Sequence, residues 1–303
     1  MRQKSNRRLS VVIQGPVIEN QLPNKQKTTD FAIKCCRKVL PKSEIILSTW
    51  EGSDTSGLAA DKIIFNKDPG PQGIFGSGAI PSNVNRQIVS SANGIKSASE
   101  NFVLKLRSDA ILLGANFIDI FDTTKSSSSM YKIFERKVVS NNLSSKNPAT
   151  MSEFPLLYHP ADHAHFGLRN DLLTLWDLPL QSEDDSTYFT VIDRPNTYRN
   201  NESSRFTPEQ FICIQSFRKS IPINIESYAD ISEIDISEKA LAENFVFVND
   251  ADFSFYIEKY HNYLHEIYKW MRYDGHAYQS MHDYSRLNIA KHFLDTYLFR
   301  RSS

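Results

Sequence analysis

The sequence predicts an α/β fold in which helices flank a mostly parallel β-sheet. Short apolar segments alternate with segments of helical spacing through the first third of the chain. A loop rich in glycine and proline, residues 67–82, then separates the third apolar segment from the next helix. This alternation is typical of parallel sheets, because consecutive parallel strands need a crossover connection between them.

The first four elements follow from local pattern. The segment SVVIQGP at 10–16 predicts a strand that a Gly-Pro pair ends, and residues 24–40 carry apolar side chains at helical spacing before Pro41. SEIILSTW at 43–50 and DKIIFN at 61–66 predict the second and third strands.

A helix at 83–99 and a strand at 102–109 complete the first half of the predicted sheet. Strand alternation places Lys105, Arg107 and Asp109 on one face of the strand FVLKLRSD. Three charges on one face fit a solvated face or an ion pair between Arg107 and Asp109. They also fit a strand that ends at a polyanion or metal site.

The rest of the chain is less regular. KIFERKVVS at 132–140 predicts a strand between polar loops, and apolar residues recur at helical spacing from about residue 253. We therefore predict one domain at 1–250 and a helical C-terminal extension at 251–303.

Composition narrows the possible partners and the compartment. The 303 residues include 35 Lys plus Arg and 35 Asp plus Glu, so no overall charge favours nucleic acid. The 3 cysteines provide neither a disulfide framework nor a CxxC pair, which favours a reducing compartment. No segment approaches the roughly 20 apolar residues of a membrane span. We expect a cytoplasmic protein. Its basic N-terminal tip, MRQKSNRR, favours an ordinary solvated terminus over peripheral contact with a membrane.

Polar residues follow the predicted strands at the sheet edge where ligands bind in open α/β folds. They lie after the first, third and fourth strands and in the first turn of the helix at 83–99. A helix N-terminus with an added arginine suits a diphosphate. The candidate binding residues are Gln14, Gly15, Pro16, Asp68, Asn83, Asn85, Arg86, Arg107 and Asp109.

Several of these segments together resemble a known family. VVIQGP, STW, DPGP, NVNRQI and LKLRSD are similar to the WavE lipopolysaccharide-synthesis family of bacterial glycosyltransferases and, more loosely, to GT-A nucleotide-sugar transferases. The likeness is densest over 10–112, continues through FGLRNDL and PEQF, and fades after about 250. It implies a GT-A-like, Rossmann-type fold and sugar transfer from a nucleotide-diphosphate-sugar donor. It also implies that 1–250 is a catalytic domain, with 1–112 as its nucleotide-binding half and 113–250 as its acceptor half. The acceptor would be a glycan or lipid-linked glycan of lipopolysaccharide or capsule, and the nine candidate residues would bind the donor.

The resemblance also implies a divalent metal, Mn²⁺ or Mg²⁺, held by Asp109. The usual metal motif is Asp-x-Asp, and in this sequence Arg107 occupies its first position. One carboxylate makes a weak cage for such an ion, although diphosphate oxygens and water can complete the site. Arg107 is itself a candidate to neutralise phosphate or to pair with a neighbouring carboxylate. His163 and His165, two residues apart, are further candidate ligands, although such a pair also fits hydrogen-bonded side chains.

Glu209 is the candidate general base. Thr207 is a predicted N-cap and Pro208 a predicted first helical residue, which puts Glu209 in the first turn, where the helix dipole favours an ionised carboxylate. The residues alone favour an ordinary first-turn acid that stabilises the helix dipole. The resemblance implies that Glu209 deprotonates the acceptor hydroxyl in an inverting reaction. Asp250 and Asp252 form a second candidate pair.

Three other classes of protein are alternatives to a glycosyltransferase. A nucleotidyltransferase shares the sheet but normally has a glycine-rich, arginine-containing loop after the first strand, where this chain has Gln14-Gly15-Pro16. A non-catalytic nucleotide-sugar-binding module would bind the donor without turnover. An oxidoreductase is disfavoured because no GxGxxG follows the first strand.

Overall fold

The computed structural model describes residues 7–19, 28–75, 80–125, 129–146, 148, 156–193 and 203–257. Its strands are β1 (Ser10–Gln14), β2 (Glu44–Trp50), β3 (Lys62–Asn66), β4 (Gln72–Phe75), β5 (Ile80–Ser82), β6 (Phe102–Arg107), β7 (Ile111–Leu112), β8 (Val138–Asn141), β9 (Ala164–Leu168), β10 (Phe245–Val248) and β11 (Phe255–Tyr256). Its helices are α1 (Thr28–Val39), α2 (Val84–Ser97), α3 (Asn116–Thr123), α4 (Arg169–Trp176), α5 (Glu183–Ser186), α6 (Tyr188–Val191), α7 (Pro208–Phe217), α8 (Ile234–Asn244) and α9 (Asp250–Phe253).

Seven strands form one central sheet in the order β10-β8-β9-β6-β1-β2-β3. β1 pairs in parallel with β2 and β6, β2 with β3, and β8 with β10. Among the described strands of this sheet, β9 alone is antiparallel to its neighbours, and it lies between β6 and β8. The predicted mostly parallel sheet flanked by helices is therefore confirmed.

Each face of the sheet is covered by a separate apolar core. Val11 and Leu104 face a core that includes α1 residues such as Ile33. Val12 and Val103, their neighbours along the same strands, face the core that holds α2, α4 and α7. This division follows from the two-residue period of a strand, and both faces are buried, as parallel sheets require.

The α2 helix packs very closely on the sheet, and Gly94 makes this possible. A Cβ atom at Gly94 would lie 2.4 Å from Val12 Cγ1 and 3.0 Å from Ser48 Cβ. Neither neighbour is the end of a long flexible chain, so a methyl group would push the helix away from β1 and β2. The residue at this position therefore sets how near α2 lies to β1 and β2.

We expect Gly94→Ala to lower the free energy of unfolding by about 1–3 kcal/mol, the usual cost of overpacking, despite the better helix propensity of alanine. Urea denaturation measures this change. Lys96→Ala, on the exposed side of the same helix, should change it by less than about 0.5 kcal/mol. An unchanged or raised free energy of unfolding for Gly94→Ala would show that a methyl group fits between α2 and the sheet.

Three segments differ from the sequence-based predictions. The predicted loop 67–82 contains the β4–β5 hairpin, whose pairing the glycine and proline residues conceal. The strand predicted over 132–140 starts only at Val138. Of the predicted helical extension 251–303, residues 258–303 lie outside the described residues, and 251–257 contain the end of α9 and the strand β11.

Two further predictions concern the N-terminal tip and membrane-spanning segments. Residues 1–6 of the basic tip lie outside the described part of the chain. Among the helices that the structure describes, none combines the length and hydropathy needed to cross a bilayer. The division into domain and extension remains a prediction, although one sheet contains strands from both predicted halves.

Candidate functional site

The parallel strands bring the ends of β1, β2, β3 and β6 to one edge of the sheet. At this edge Gly15 donates its backbone N–H to Ser48 O at 3.0 Å, and Ser108 donates its own to Gln14 O at 2.9 Å. These bonds continue the sheet just past the strands and fix the chain reversals that follow β1 and β6. The loops at this edge therefore start from a rigid base.

Gly15 is buried and has a φ of 120°, a backbone region that favours glycine. A Cβ atom there would lie 3.0 Å from Ser108 Oγ, so a side chain would also crowd the loop after β6. Pro16, the next residue, is exposed. The predicted turn after β1 thus lies directly against the predicted end of β6.

The first turns of α2 extend over the same edge. Arg86 forms a two-bond ion pair with Asp68, at 2.7 Å from Nε and 2.6 Å from Nη2, and its Nη1 donates to Asn83 Oδ1 at 2.9 Å. Ser90 Oγ donates to Gln14 Oε1 at 2.7 Å. The bonds from Arg86 lower the pKa of Asp68. The loop after β3, the end of β1 and the start of α2 are therefore bonded together.

Asn85 makes a different contact from its neighbours. Its side-chain amide donates to Gln181 O at 3.1 Å and accepts from Gln181 N at 2.7 Å, and both residues are buried. This pair of bonds ties α2 to the segment between α4 and α5, a structural contact. Donor binding by Asn85 stays a prediction.

Arg107 and Asp109 form the second two-bond ion pair of the edge. Arg107 Nε donates to Asp109 Oδ1 at 2.9 Å and Nη2 donates to Oδ2 at 2.8 Å. Burial acts to raise the pKa of Asp109, but the charge and hydrogen bonds of Arg107 outweigh it and the pKa lies below its ordinary value. The Arg107–Asp109 ion pair, one of the possibilities that the sequence suggested, is therefore present at the end of β6.

Lys105 is completely buried, so the three charges of β6 do not form a solvated face. Its ammonium lies 4.0 Å from the centre of the Trp176 ring and donates to the backbone oxygen of Asp162. These contacts of Lys105 hold the turn before β9 against β6 and α4. The position of Lys105 on the face of Arg107 and Asp109 was predicted, but its burial against Trp176 and Asp162 was not, because that contact depends on elements distant in the sequence.

Burial lowers the pKa of Lys105 to about 7. Above that pH the folded protein has lost a proton that the unfolded chain, with an ordinary lysine, still holds up to about pH 10.5. The unfolded state binds more protons over this range, so Lys105 should make stability rise with pH.

We therefore expect wild type to gain stability relative to Lys105→Met between pH 7 and pH 9, by up to about 1.4 kcal/mol per pH unit. Urea denaturation across this range measures the difference. Lys96→Met, on the surface, should give a constant difference from wild type. A constant difference for Lys105→Met as well would contradict the shifted pKa.

The two candidate histidine ligands are both buried. His163 Nδ1 lies 3.7 Å from Asp162 Oδ1, and burial lowers the pKa of His163 to about 4. His165 pairs with Lys105 across β9 and β6, and its Nδ1 accepts from Trp176 Nε1 at 3.2 Å. Burial lowers the pKa of His165 to about 3, so the neutral ring carries its proton on Nε2. That tautomer leaves His165 no lone pair for a metal.

The donor set at the edge does not fit a divalent metal. Asp109 uses both oxygens on Arg107, and within the described ranges no three His, Cys, Asp or Glu side chains are grouped so as to hold an ion. Mg²⁺ and Mn²⁺ prefer several oxygen ligands in near-octahedral arrangement. Metal binding by Asp109, His163 and His165 stays a prediction that this arrangement does not favour.

Glu209 lies in the first turn of α7, as predicted. Thr207 Oγ1 accepts from Gln210 N at 3.3 Å, the Gln210 side chain accepts from Thr207 N, and Pro208 is the first helical residue, so the predicted cap is confirmed. Glu209 Oε2 lies 3.5 Å from His159 Nε2, and 14% of the Glu209 side chain is exposed. The segment 159–163 thus connects two contacts. His159 contacts Glu209 at its start, and Asp162, in the turn before β9, accepts from Lys105 near its end.

Of Asp250 and Asp252, the second pair of candidate general bases, the structure describes the side-chain contacts of Asp252. Asp252 accepts from Asn249 Nδ2 at 2.7 Å and donates its backbone N–H to Asn249 Oδ1 at 2.8 Å. These bonds are typical of a short helical turn. They give Asp252 a structural contact next to β10.

Solved structures with a similar chain path are distant. Yersinia pseudotuberculosis HddC complexed with GMP-PN has 7% identity and a TM-score of 0.32, covering 55% of this chain and 78% of that chain. A cytidylyltransferase from Leptospira borgpetersenii has 12% identity and a TM-score of 0.32, covering 76% and 96%. TarS from S. aureus has 11% identity and a TM-score of 0.35, covering 78% and 38%. TM-scores this low support no argument about activity.

Comparison of the sequence with known proteins and families assigns the chain to a family. No curated protein matches the chain. The model of the family described as WavE lipopolysaccharide synthesis matches residues 9–297, nearly the whole chain, which confirms the resemblance seen in its motifs. The chain belongs to the WavE lipopolysaccharide synthesis family.

Proposed function

We propose that the protein is a glycosyltransferase that moves a sugar from a nucleotide-diphosphate-sugar donor to an acceptor in bacterial surface polysaccharide synthesis. Membership of the WavE family supports the process. The observation that carries the proposal is the presence of two ion pairs, Asp68–Arg86 and Arg107–Asp109, at the sheet edge where ligands bind in α/β folds. Two fixed guanidinium groups beside a glycine turn suit a diphosphate.

In this mechanism Arg86 and Arg107 stabilise the negative charge that develops on the leaving nucleoside diphosphate. The acceptor oxygen forms a bond to the anomeric carbon of the sugar while the bond from that carbon to the phosphate oxygen breaks. Glu209 takes the proton of the acceptor hydroxyl. A single displacement of this kind inverts the anomeric centre.

His159 is proposed to orient Glu209. The two side chains are 3.5 Å apart, and His159 is buried while Glu209 retains some exposure. A carboxylate whose conformation is fixed by a neighbour loses less freedom when the acceptor binds. The acceptor would be a lipid-linked or free glycan of lipopolysaccharide or capsule, and the site of action the cytoplasmic side of the inner membrane.

Identifying the product tests this proposal. Purified protein is screened by thermal shift against a panel of nucleotide sugars, since ligand binding raises the melting temperature, and the stabilising donor is then incubated with candidate acceptors. A glycosyltransferase releases nucleoside diphosphate. Release of pyrophosphate from a nucleoside triphosphate and a sugar phosphate would identify a nucleotidyltransferase instead. Donor binding with no turnover in any acceptor mixture would identify a binding module.

A further inference from the structure

We infer that Arg107 itself binds the donor diphosphate at the place where a GT-A-like site would hold a divalent metal, and that Asp109 is a positioning residue for Arg107. This inference rests on the proposed function and gives its donor site a specific chemistry. The charge that a metal would supply comes here from a guanidinium on the last residue of β6. Donor binding then needs no divalent ion.

The first argument is the state of the Asp109 carboxylate. Both oxygens accept from Arg107, at 2.9 and 2.8 Å, and the side chain is 6% exposed. A metal ion at Asp109 would have to break a buried, two-bond ion pair and leave Arg107 beside a divalent cation. Removing the partner from a buried charge is strongly unfavourable.

The second argument is the environment of the possible extra ligands. Asp162 Oδ1 lies 3.7 Å from His163 Nδ1, and the backbone oxygen of Asp162 accepts from Lys105. His165 accepts from Trp176 inside the sheet. Asp162 and His165 are thus already in contact with β6 and α4, and among the described residues no three His, Cys, Asp or Glu side chains are grouped so as to hold an ion.

The third argument is the position of the guanidinium. Arg107 is paired across the sheet with Gln14, next to the Gly15 turn, and 24% of its side chain is exposed. Part of the Arg107 side chain is therefore accessible to a phosphate at this edge of the sheet. Arg86, fixed by Asp68 in the same manner, gives the edge a second oriented guanidinium. Arginine binds phosphate through a planar fork of donors, so orientation by a carboxylate favours binding.

Binding of inorganic pyrophosphate, the group common to all such donors, tests this inference. Calorimetric titration in excess EDTA should show binding to wild type, and Arg107→Gln should weaken it at least tenfold. Arg107→Lys should fall between the two. Arg37→Gln is the matched control, since Arg37 forms a similar ion pair with Asp61 at the start of β2, the opposite end of that strand, and it should bind as wild type does.

Titration of wild type with Mn²⁺ alone tests metal binding directly. Wild type should bind no Mn²⁺ at the site. Stoichiometric Mn²⁺ binding that Asp109→Asn abolishes, or pyrophosphate binding only with Mn²⁺ present, would overturn the inference while leaving the glycosyltransferase proposal intact. If pyrophosphate and every nucleotide sugar fail to bind with or without Mn²⁺, the proposed donor site itself is wrong.

Discussion

Glu209→Gln should lower turnover by about 10²–10⁴-fold, the usual contribution of a general base, while donor affinity changes by less than about twofold. The substitution keeps the size of the side chain and removes the ability to accept a proton at neutral pH. The cap of α7 is made by Thr207 and Gln210, so the helix start should persist. Steady-state kinetics on the stabilising nucleotide sugar, with direct titration of the donor, separates the two effects.

The control for this variant is Glu183→Gln. Glu183 also lies in the first turn of a helix and is exposed, so it should retain wild-type turnover. Equal losses of turnover and donor affinity in Glu209→Gln would indicate a structural role for this residue. Unchanged turnover would assign the proton transfer to another group.

Asp109→Asn should reduce kcat/KM for the donor by at least about a hundredfold, equivalent to about 2.7 kcal/mol. An asparagine of the same shape cannot hold the guanidinium through two charge-assisted bonds, so Arg107 loses its fixed orientation at the site of the leaving group. Because the pKa of Asp109 lies below its ordinary value, wild-type activity should not fall through titration of this carboxyl at neutral pH. Activity assays of both proteins measure the change.

Asp61→Asn is the matched control, because Asp61 accepts from Arg37 in an ion pair and from the backbone of Ile45 far from the proposed site. It should affect stability and leave kcat/KM unchanged. Circular dichroism establishes that Asp109→Asn is folded. Full activity of a folded Asp109→Asn would remove Asp109 from the donor site.

The predictions that the structure confirms depend on short-range chemistry. Apolar runs and helical spacing gave β1, α1, β2, β3, α2 and β6 with bounds that differ by a few residues, because both periods are local properties of the chain. The cap at Thr207 and Pro208 was predictable for the same reason, since all its atoms lie within one turn. The parallel order then placed the ends of β1, β3 and β6 at one edge.

The sequence alone determined the α/β class, the family and the charged character of the end of β6. Only the tertiary structure decided that β9 enters the sheet antiparallel beside β6, which buries Lys105 and brings Asp162 and His163 to the edge. It also decided that Arg107 is bound to Asp109 rather than exposed as a separate charge. The physical reason is range: strand pairing and ion pairing between distant segments depend on how the whole sheet is assembled, and no local period records them.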